Sequence, residues 1–168
     1  KKFSLEALKI KYLIDEKVLE HPSSLGLKDS DVNRRTEEIL EKANSTYNGQ
    51  GRDIHIIDLG EASCLAVGKM LNEKGYESVI AVDERTTRML GEKPENLGKL
   101  LERKLHIKIK PRKEYYNLFS GIRFVRSAEL IYVAYKKGLV NLKNGDVLDA
   151  LLYAMKFKGC AISGDEIR

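Results

Sequence analysis

The sequence predicts an α/β fold with a parallel sheet, preceded by a helical segment, and three observations carry that prediction. From Asp53 onward, short apolar runs alternate with helical patterns, as in strand–helix–strand units. Val79-Ile80-Ala81-Val82 is an unbroken apolar run of the kind found in buried parallel strands. It ends in Asp83-Glu84, and the helix before it opens on Asp58-Leu59-Gly60-Glu61. Both acidic motifs therefore fall where strand tips and helix starts meet, at one edge of such a sheet.

Residues 1–52 read as the helical part and residues 53–168 as the α/β part of a single domain. In the first part, Phe3, Ala7, Ile10, Ile14 and Leu5, Leu8, Tyr12 recur at helical spacing, which predicts an amphipathic helix to about Asp15. An extended stretch through Val18 and Leu19 stops at His21-Pro22. Ser23 to Asn33 is turn-rich, and Asp31 is a candidate cap for a helix carrying Ile39, Leu40 and Ala43. Asn44 to Arg52 reads as a polar, mobile loop. In the second part, Ile54–Ile57 reads as a strand and Asp58 to Asn72 as a helix, with Gly75 beyond its end. Val79–Val82 is the next strand, followed by a helix through Arg88 and Leu90. Pro94 opens another helix, to Lys104. His106–Lys110 alternates apolar and basic residues, as an edge strand with a basic outer face does. Helices are expected over Ser127–Lys137 and Asp146–Lys158, stopped by Gly138 and Gly159, with Cys160–Ser163 as a final short strand.

Composition narrows the class. A chain of 168 residues, 42% hydrophobic and 33% charged, suits one soluble domain with a core of its own. Its net charge of +5 suits a polyanionic partner without requiring one. Trp is absent and Gln50 is the only glutamine, while Lys and Glu abound, a bias seen in hyperthermophile proteins. Cys64 and Cys160 lie in apolar stretches and form no disulfide framework or zinc-ligand spacing. No apolar run reaches membrane-spanning length and no signal peptide opens the chain, so the expected compartment is the cytoplasm. There is no glycine-rich dinucleotide or phosphate loop, and His21, His55 and His106 are too scattered for a Ser–His–Asp site.

The acidic motifs carry the chemistry. Carboxylates gathered at one sheet edge repel each other unless a divalent cation lies between them. Hard oxygen ligands select Mg²⁺ or Mn²⁺, the metals of phosphodiester hydrolysis. A right-handed crossover would bring Glu61 and Asp83 close enough to share such an ion. Two roles are open to Glu61: metal ligand, or back-bonding member of a capping box with Asp58. Asp83 and Glu84 divide the same way, one capping the next helix while the other faces the metal. Arg85 and Arg88 suit either a phosphate or ion pairs with Glu84 and Glu92. Arg123, Arg126 and Ser127 precede a helix whose N-terminus suits an anion, and Ser127 equally suits its cap. The basic run Arg103, Lys104, Lys108, Lys110, Arg112, Lys113, followed by Tyr115, Tyr116 and Phe119, fits single-stranded RNA or a solvated edge strand.

Four segments resemble the PIN-domain family in their order and spacing: Asp58-Leu59-Gly60-Glu61-Ala62-Ser63, Val82-Asp83-Glu84-Arg85-Thr86-Thr87-Arg88, Ala134-Tyr135-Lys136-Lys137-Gly138-Leu139 and Gly159-Cys160-Ala161-Ile162-Ser163. The last two resemble a PIN-like subgroup common in archaea and bacteria. The resemblance runs from Asp58 to the C-terminus. It implies a Rossmann-like α/β/α sandwich with a central parallel sheet and the activity of a metal-dependent endoribonuclease. It further implies Mg²⁺ or Mn²⁺ on Glu61, Asp83 and Glu84, RNA as partner, and the homodimer frequent among relatives. The family's opening strand, which ends in an aspartate ligand, has no counterpart here. Asp15, after Tyr12-Leu13-Ile14, reads as a solvated helix-end residue or as its substitute. If no upstream strand supplies that ligand, the expectation is weak Mg²⁺ affinity, little cleavage and retained RNA binding, with activity returning when such a strand is restored. The competing expectation is a PIN-like scaffold that binds RNA or a protein without cleaving.

Overall fold

A computed structural model describes residues 4–140 and 146–167. In chain order the elements are α1 (Ser4–Asp15), α2 (Asp29–Ser45), β1 (Tyr47–Gly49), β2 (Arg52–Asp53), α3 (Leu59–Glu73), β3 (Ile80–Ala81) and α4 (Arg85–Glu92). There follow α5 (Pro94–Leu105), β4 (Ile109–Pro111), α6 (Tyr116–Phe119), β5 (Phe124–Val125), α7 (Ser127–Lys136), α8 (Val147–Phe157) and α9 (Gly164–Ile167). The start of the first expected helix, Lys1–Phe3, lies outside the described residues.

The expected Rossmann-like sandwich is not what the chain forms. The structure is 63% helical. Among the described residues its strands make a three-stranded antiparallel sheet, ordered β2-β1-β4, and a separate parallel pair, β3-β5. No central parallel sheet joins them.

The reason is visible at Ile54–Ile57, the run expected to be the first strand of that sheet. Its backbone is claimed by a side chain. Asn44 Oδ1 accepts from the amides of Ile56 (2.6 Å) and Ile57 (3.0 Å), and Asn44 Nδ2 donates to the Ile57 carbonyl at 3.0 Å. One carboxamide thus takes two amides and a carbonyl that a neighbouring strand would have bonded; Ile54 N donates to the Tyr47 carbonyl at 2.9 Å, and beyond it the segment forms no strand. The stretch expected to be a mobile loop is instead ordered. Tyr47–Gly49 pairs with Arg52–Asp53 across Gln50-Gly51, where φ is +54° and +82°, the two-residue loop whose twist suits a hairpin. β4 is the expected edge strand, but it pairs antiparallel with β1 rather than joining β3. The expected strand at Cys160–Ser163 does not pair as one; Ala161 N donates to the Asp83 carbonyl at 3.2 Å.

Two clusters hold the chain together. The larger gathers Ile39 and Ala43 of α2, Tyr47 of β1, Leu65 and Ala66 of α3, Ile80 of β3, Leu97 of α5 and Phe119 of α6. Tyr47 is fully buried, and its hydroxyl donates to the Pro94 carbonyl at 2.6 Å, tying the hairpin to the start of α5. The smaller cluster packs Ala128, Leu152, Cys160 and Ile167 between α7, α8 and α9. Phe119 and Tyr116 belong to the main core, and Tyr115 lies under Lys42 Nζ, 5.0 Å from its ring centroid. These aromatics are therefore not a free stacking platform beside the lysines. α1 buries none of its residues. No described helix is long and apolar enough to cross a membrane.

Two stability outcomes follow from this packing. Replacing Asn44 with Leu leaves two amides without their acceptor and should cost about 2–4 kcal/mol in urea unfolding. Asn44→Asp keeps the acceptor but sets a carboxylate oxygen against the Ile57 carbonyl in place of the donor, so its loss should shrink as pH falls and the carboxyl protonates; a loss independent of pH would count against this hydrogen-bonded role. A Cβ on Gly91 would lie 2.6 Å from the Phe124 ring and 3.3 Å from the Phe119 carbonyl oxygen, whereas one on Gly60 would meet nothing within 4 Å. Gly91→Ala should therefore lower stability by about 1–3 kcal/mol despite the better helix propensity. Gly60→Ala should be neutral or raise it by about 0.5 kcal/mol.

Candidate functional site

The parallel pair β3-β5 directs its carboxyl ends at the starts of α4 and α7, and the acidic residues of interest stand there. Val82 N donates to the Val125 carbonyl, so the two chains leave the pair side by side as Asp83-Glu84 and Arg126-Ser127. Asp83 then crosses to the start of α7. Its Oδ1 accepts from the Ser127 amide and hydroxyl, both at 2.9 Å, and the hydroxyl also lies 2.7 Å from Oδ2. Burial opposes ionisation of Asp83. The Ser127 hydroxyl and amide outweigh it, with smaller help from the Cys160 thiol and Arg126, and its pKa lies below the ordinary value.

Each of the three carboxylates expected to bind metal is engaged by a backbone amide at a helix start. Glu61 Oε2 accepts from the Asp58 amide at 3.1 Å, the back-bond of a capping box on α3, and Asp58 Oδ1 meets His55 Nε2 at 2.7 Å. Glu84 is the N-cap of α4, accepting from Thr87 N at 2.6 Å. Burial raises the Glu84 pKa, but the Thr86 and Thr87 amides and hydroxyls outweigh it and hold the group below its usual range. Ser127 is the first helical residue of α7 rather than its cap, which is Arg126, and its hydroxyl is committed to Asp83. No group of three or more His, Cys, Asp or Glu gathered as metal ligands exists among the described residues.

The arginines do converge. Arg85, Arg88 and Arg126 line a cleft of about 490 Å³ whose far wall is Ala161, Ile162, Ser163 and Glu166. Their charges are spent unequally. Arg126 donates from Nε to Glu129 Oε1 at 2.6 Å, and from Nη1 to Glu166 Oε1 at 3.0 Å and the Ala161 carbonyl at 3.1 Å. Its side chain is only 15% exposed, so it pins the C-terminal segment as a wall. Arg88 Nε stands 3.9 Å from Glu92. Arg85 is exposed and has no hydrogen bond or ion pair within the described residues. It is the freest positive charge of the three.

The roles of Glu129 and Glu166 were not read from the sequence, although a signal for each was present. Glu129 stands three residues after Arg126. Ser163-Gly-Asp-Glu166 has capping-box spacing, and Ser163 N donates to Glu166 Oε2 at 2.9 Å while Glu166 N donates to Ser163 Oγ at 3.2 Å. A second groove, of about 430 Å³ between α2 and α3, is lined by charges that already pair: Arg35 bridges Glu38 and Glu73.

The clasp on the C-terminal segment should show in acid. The Ser163 amide and Arg126 hold the Glu166 carboxyl down at about 2, against an ordinary 4.5. A folded pKa below the unfolded one gives stability that is complete above the unfolded value and is lost as pH falls through the folded one. The thermal midpoint should therefore stay level above about pH 5 and fall between about pH 4.5 and 2. Glu166→Gln should begin lower at neutral pH and fall less across that window. Parallel curves for the two proteins would mean that Glu166 is not coupled to folding.

In comparisons with protein-family models, with curated proteins and with solved structures, no match to the chain was found.

Proposed function

We propose that this protein acts on RNA as a metal-dependent endoribonuclease, with the arginine cleft as its phosphodiester site. The observation that supports this reading is the placement of an ionised carboxylate, Asp83, at the carboxyl end of β3, electrostatically coupled to an arginine of that cleft. A phosphodiester is drawn by Arg85 and Arg88, and the exposed, unpaired Arg85 guanidinium is able to follow charge that grows on the phosphate during displacement. Ser127 fixes Asp83 in one orientation and keeps it deprotonated. Arg126 keeps the opposite wall in place.

The donor chemistry fits a divalent cation through one residue. Mg²⁺ is commonly held by one or two carboxylates plus substrate phosphates, keeping several waters, rather than by an all-protein cage. Asp83 is the carboxylate that would hold it here. Asp83 already commits both oxygens to Ser127, and Glu61 and Glu84 each commit one to the starts of α3 and α4, so an ion would share these oxygens with their present donors. When bound, such an ion lowers the pKa of a water and neutralises charge at the phosphate.

A second reading is an RNA-binding scaffold that does not cleave. It is favoured by the bonds from Ser127 to both Asp83 oxygens.

Labelled single-stranded RNA with and without Mn²⁺ separates the two. In the enzyme reading, cleavage needs the ion, and Asp83→Asn lowers it by about a hundredfold or more while RNA binding persists. Arg85→Ala should weaken binding and reduce the slope of log K against log salt by about 0.7, the value for one single-strand phosphate contact. Tight binding without Mn²⁺-dependent cleavage would select the scaffold. Binding indifferent to Arg85 and Arg88 would refute the cleft under both readings.

A further inference from the structure

The arginine cleft is not isolated. A second cavity of about 260 Å³ adjoins it, and the two share Arg126, Ile162 and Glu166 as a common wall. The rest of the second cavity is mostly apolar: Ala128 and Tyr132, one turn apart on α7, face Leu152 of α8. Its carboxylates, Glu129 and Glu166, are both turned onto the Arg126 guanidinium. Tyr132 is 47% exposed, and Lys136 Nζ lies 5.5 Å from its ring centroid.

We infer that this cavity is a base slot, and that the protein takes single-stranded RNA with one unstacked base laid against Tyr132 while the adjoining phosphate sits in the arginine cleft. The inference rests on the phosphate-cleft reading above and names the class of RNA it accepts. An anion site touching an apolar slot with one aromatic wall matches the two halves of a nucleotide, its charged backbone and its flat base. A cavity of this size is below the roughly 300–1,000 Å³ of sites that enclose drug-sized ligands, and it suits one planar ring system. Bases in a duplex are stacked and paired and cannot enter a side slot, whereas single strands splay their bases onto aromatic side chains. Arg126, locked between Glu129 and Glu166, acts as the partition that keeps phosphate and base in separate compartments. Lys136 brings a further positive charge near the slot, 5.5 Å from the Tyr132 ring centroid.

The test uses the full chain, a chelator to prevent cleavage, and a short single-stranded oligoribonucleotide carrying 2-aminopurine. Expected results are quenching of the 2-aminopurine on binding, affinity lowered about 5- to 140-fold by Tyr132→Ala, and affinity kept by Tyr132→Phe. The same oligomer with an abasic residue at that position should bind wild type and Tyr132→Ala alike, and duplex RNA should not sense Tyr132. If the wild type binds abasic and intact strands equally and leaves the 2-aminopurine unquenched, the base slot is refuted, whether or not Tyr132→Ala folds. If Arg85→Ala weakens binding while Tyr132→Ala does not, the slot falls and the phosphate cleft stands. If neither substitution matters, the phosphate-cleft reading has itself failed.

Discussion

The contact between Asp83 and Ser127 is the junction on which the second half of the structure depends. It fastens the end of β3 to the first residue of α7, and the Asp83 carbonyl also receives the Ala161 amide from the C-terminal segment. The main core lies on one side of this junction, and the α7–α8–α9 cluster on the other. Arg126, the neighbour of Ser127, then binds Glu129, Glu166 and the Ala161 carbonyl. A half-buried carboxylate, two amides and one guanidinium thus place the arginine cleft. Such a network stabilises only when every member is satisfied, because a lost partner leaves a charge in low dielectric.

The same chemistry explains why the acidic motifs are ambiguous. A helix start offers unpaired amides and the positive end of a dipole, so a carboxylate there is stabilised with or without a metal. Glu61, Asp83 and Glu84 all take this arrangement. For Glu61 and Glu84 the carboxylate serves its own helix. Asp83 serves a helix distant in sequence, and it alone also senses the guanidinium that lines the cleft. That difference makes Asp83 the one carboxylate on which the catalytic reading turns.

Local pattern was legible where it was periodic. α3, α5, α7 and α8 lie where the apolar spacing, the start at Pro94 and the stops at Gly138 and Gly159 put them, because helix capping and backbone restriction act over a few residues. The sheet was not legible, since a strand is defined by a partner that sequence does not name. Ile54–Ile57 has the composition of a strand, yet the amides of Ile56 and Ile57 go to Asn44, and the hairpin at Tyr47–Asp53 turns on Gln50-Gly51 rather than on a stronger turn signal. In the site, Arg85, Arg88 and Arg126 could be picked from the chain as one group, but not how much of each charge was free.

By itself the sequence determined most helices, the capping box of Asp58 and Glu61 and the basic excess, all consequences of composition or of spacing within a few turns. Tertiary structure decided which backbone groups pair across long separations, and so replaced a continuous parallel sheet with two small ones. It also decided that Arg126 is a clasp while Arg85 stays free, and that Tyr132 stands beside the cleft while Phe119 is buried in the main core with Tyr116 packed half-buried against it. The physical reason is common to these cases. A charge or a ring has a role only relative to what lies within a few ångströms of it, and those neighbours can be 40 residues away along the chain or more, as Glu166 is from Arg126 and Ser127 from Asp83.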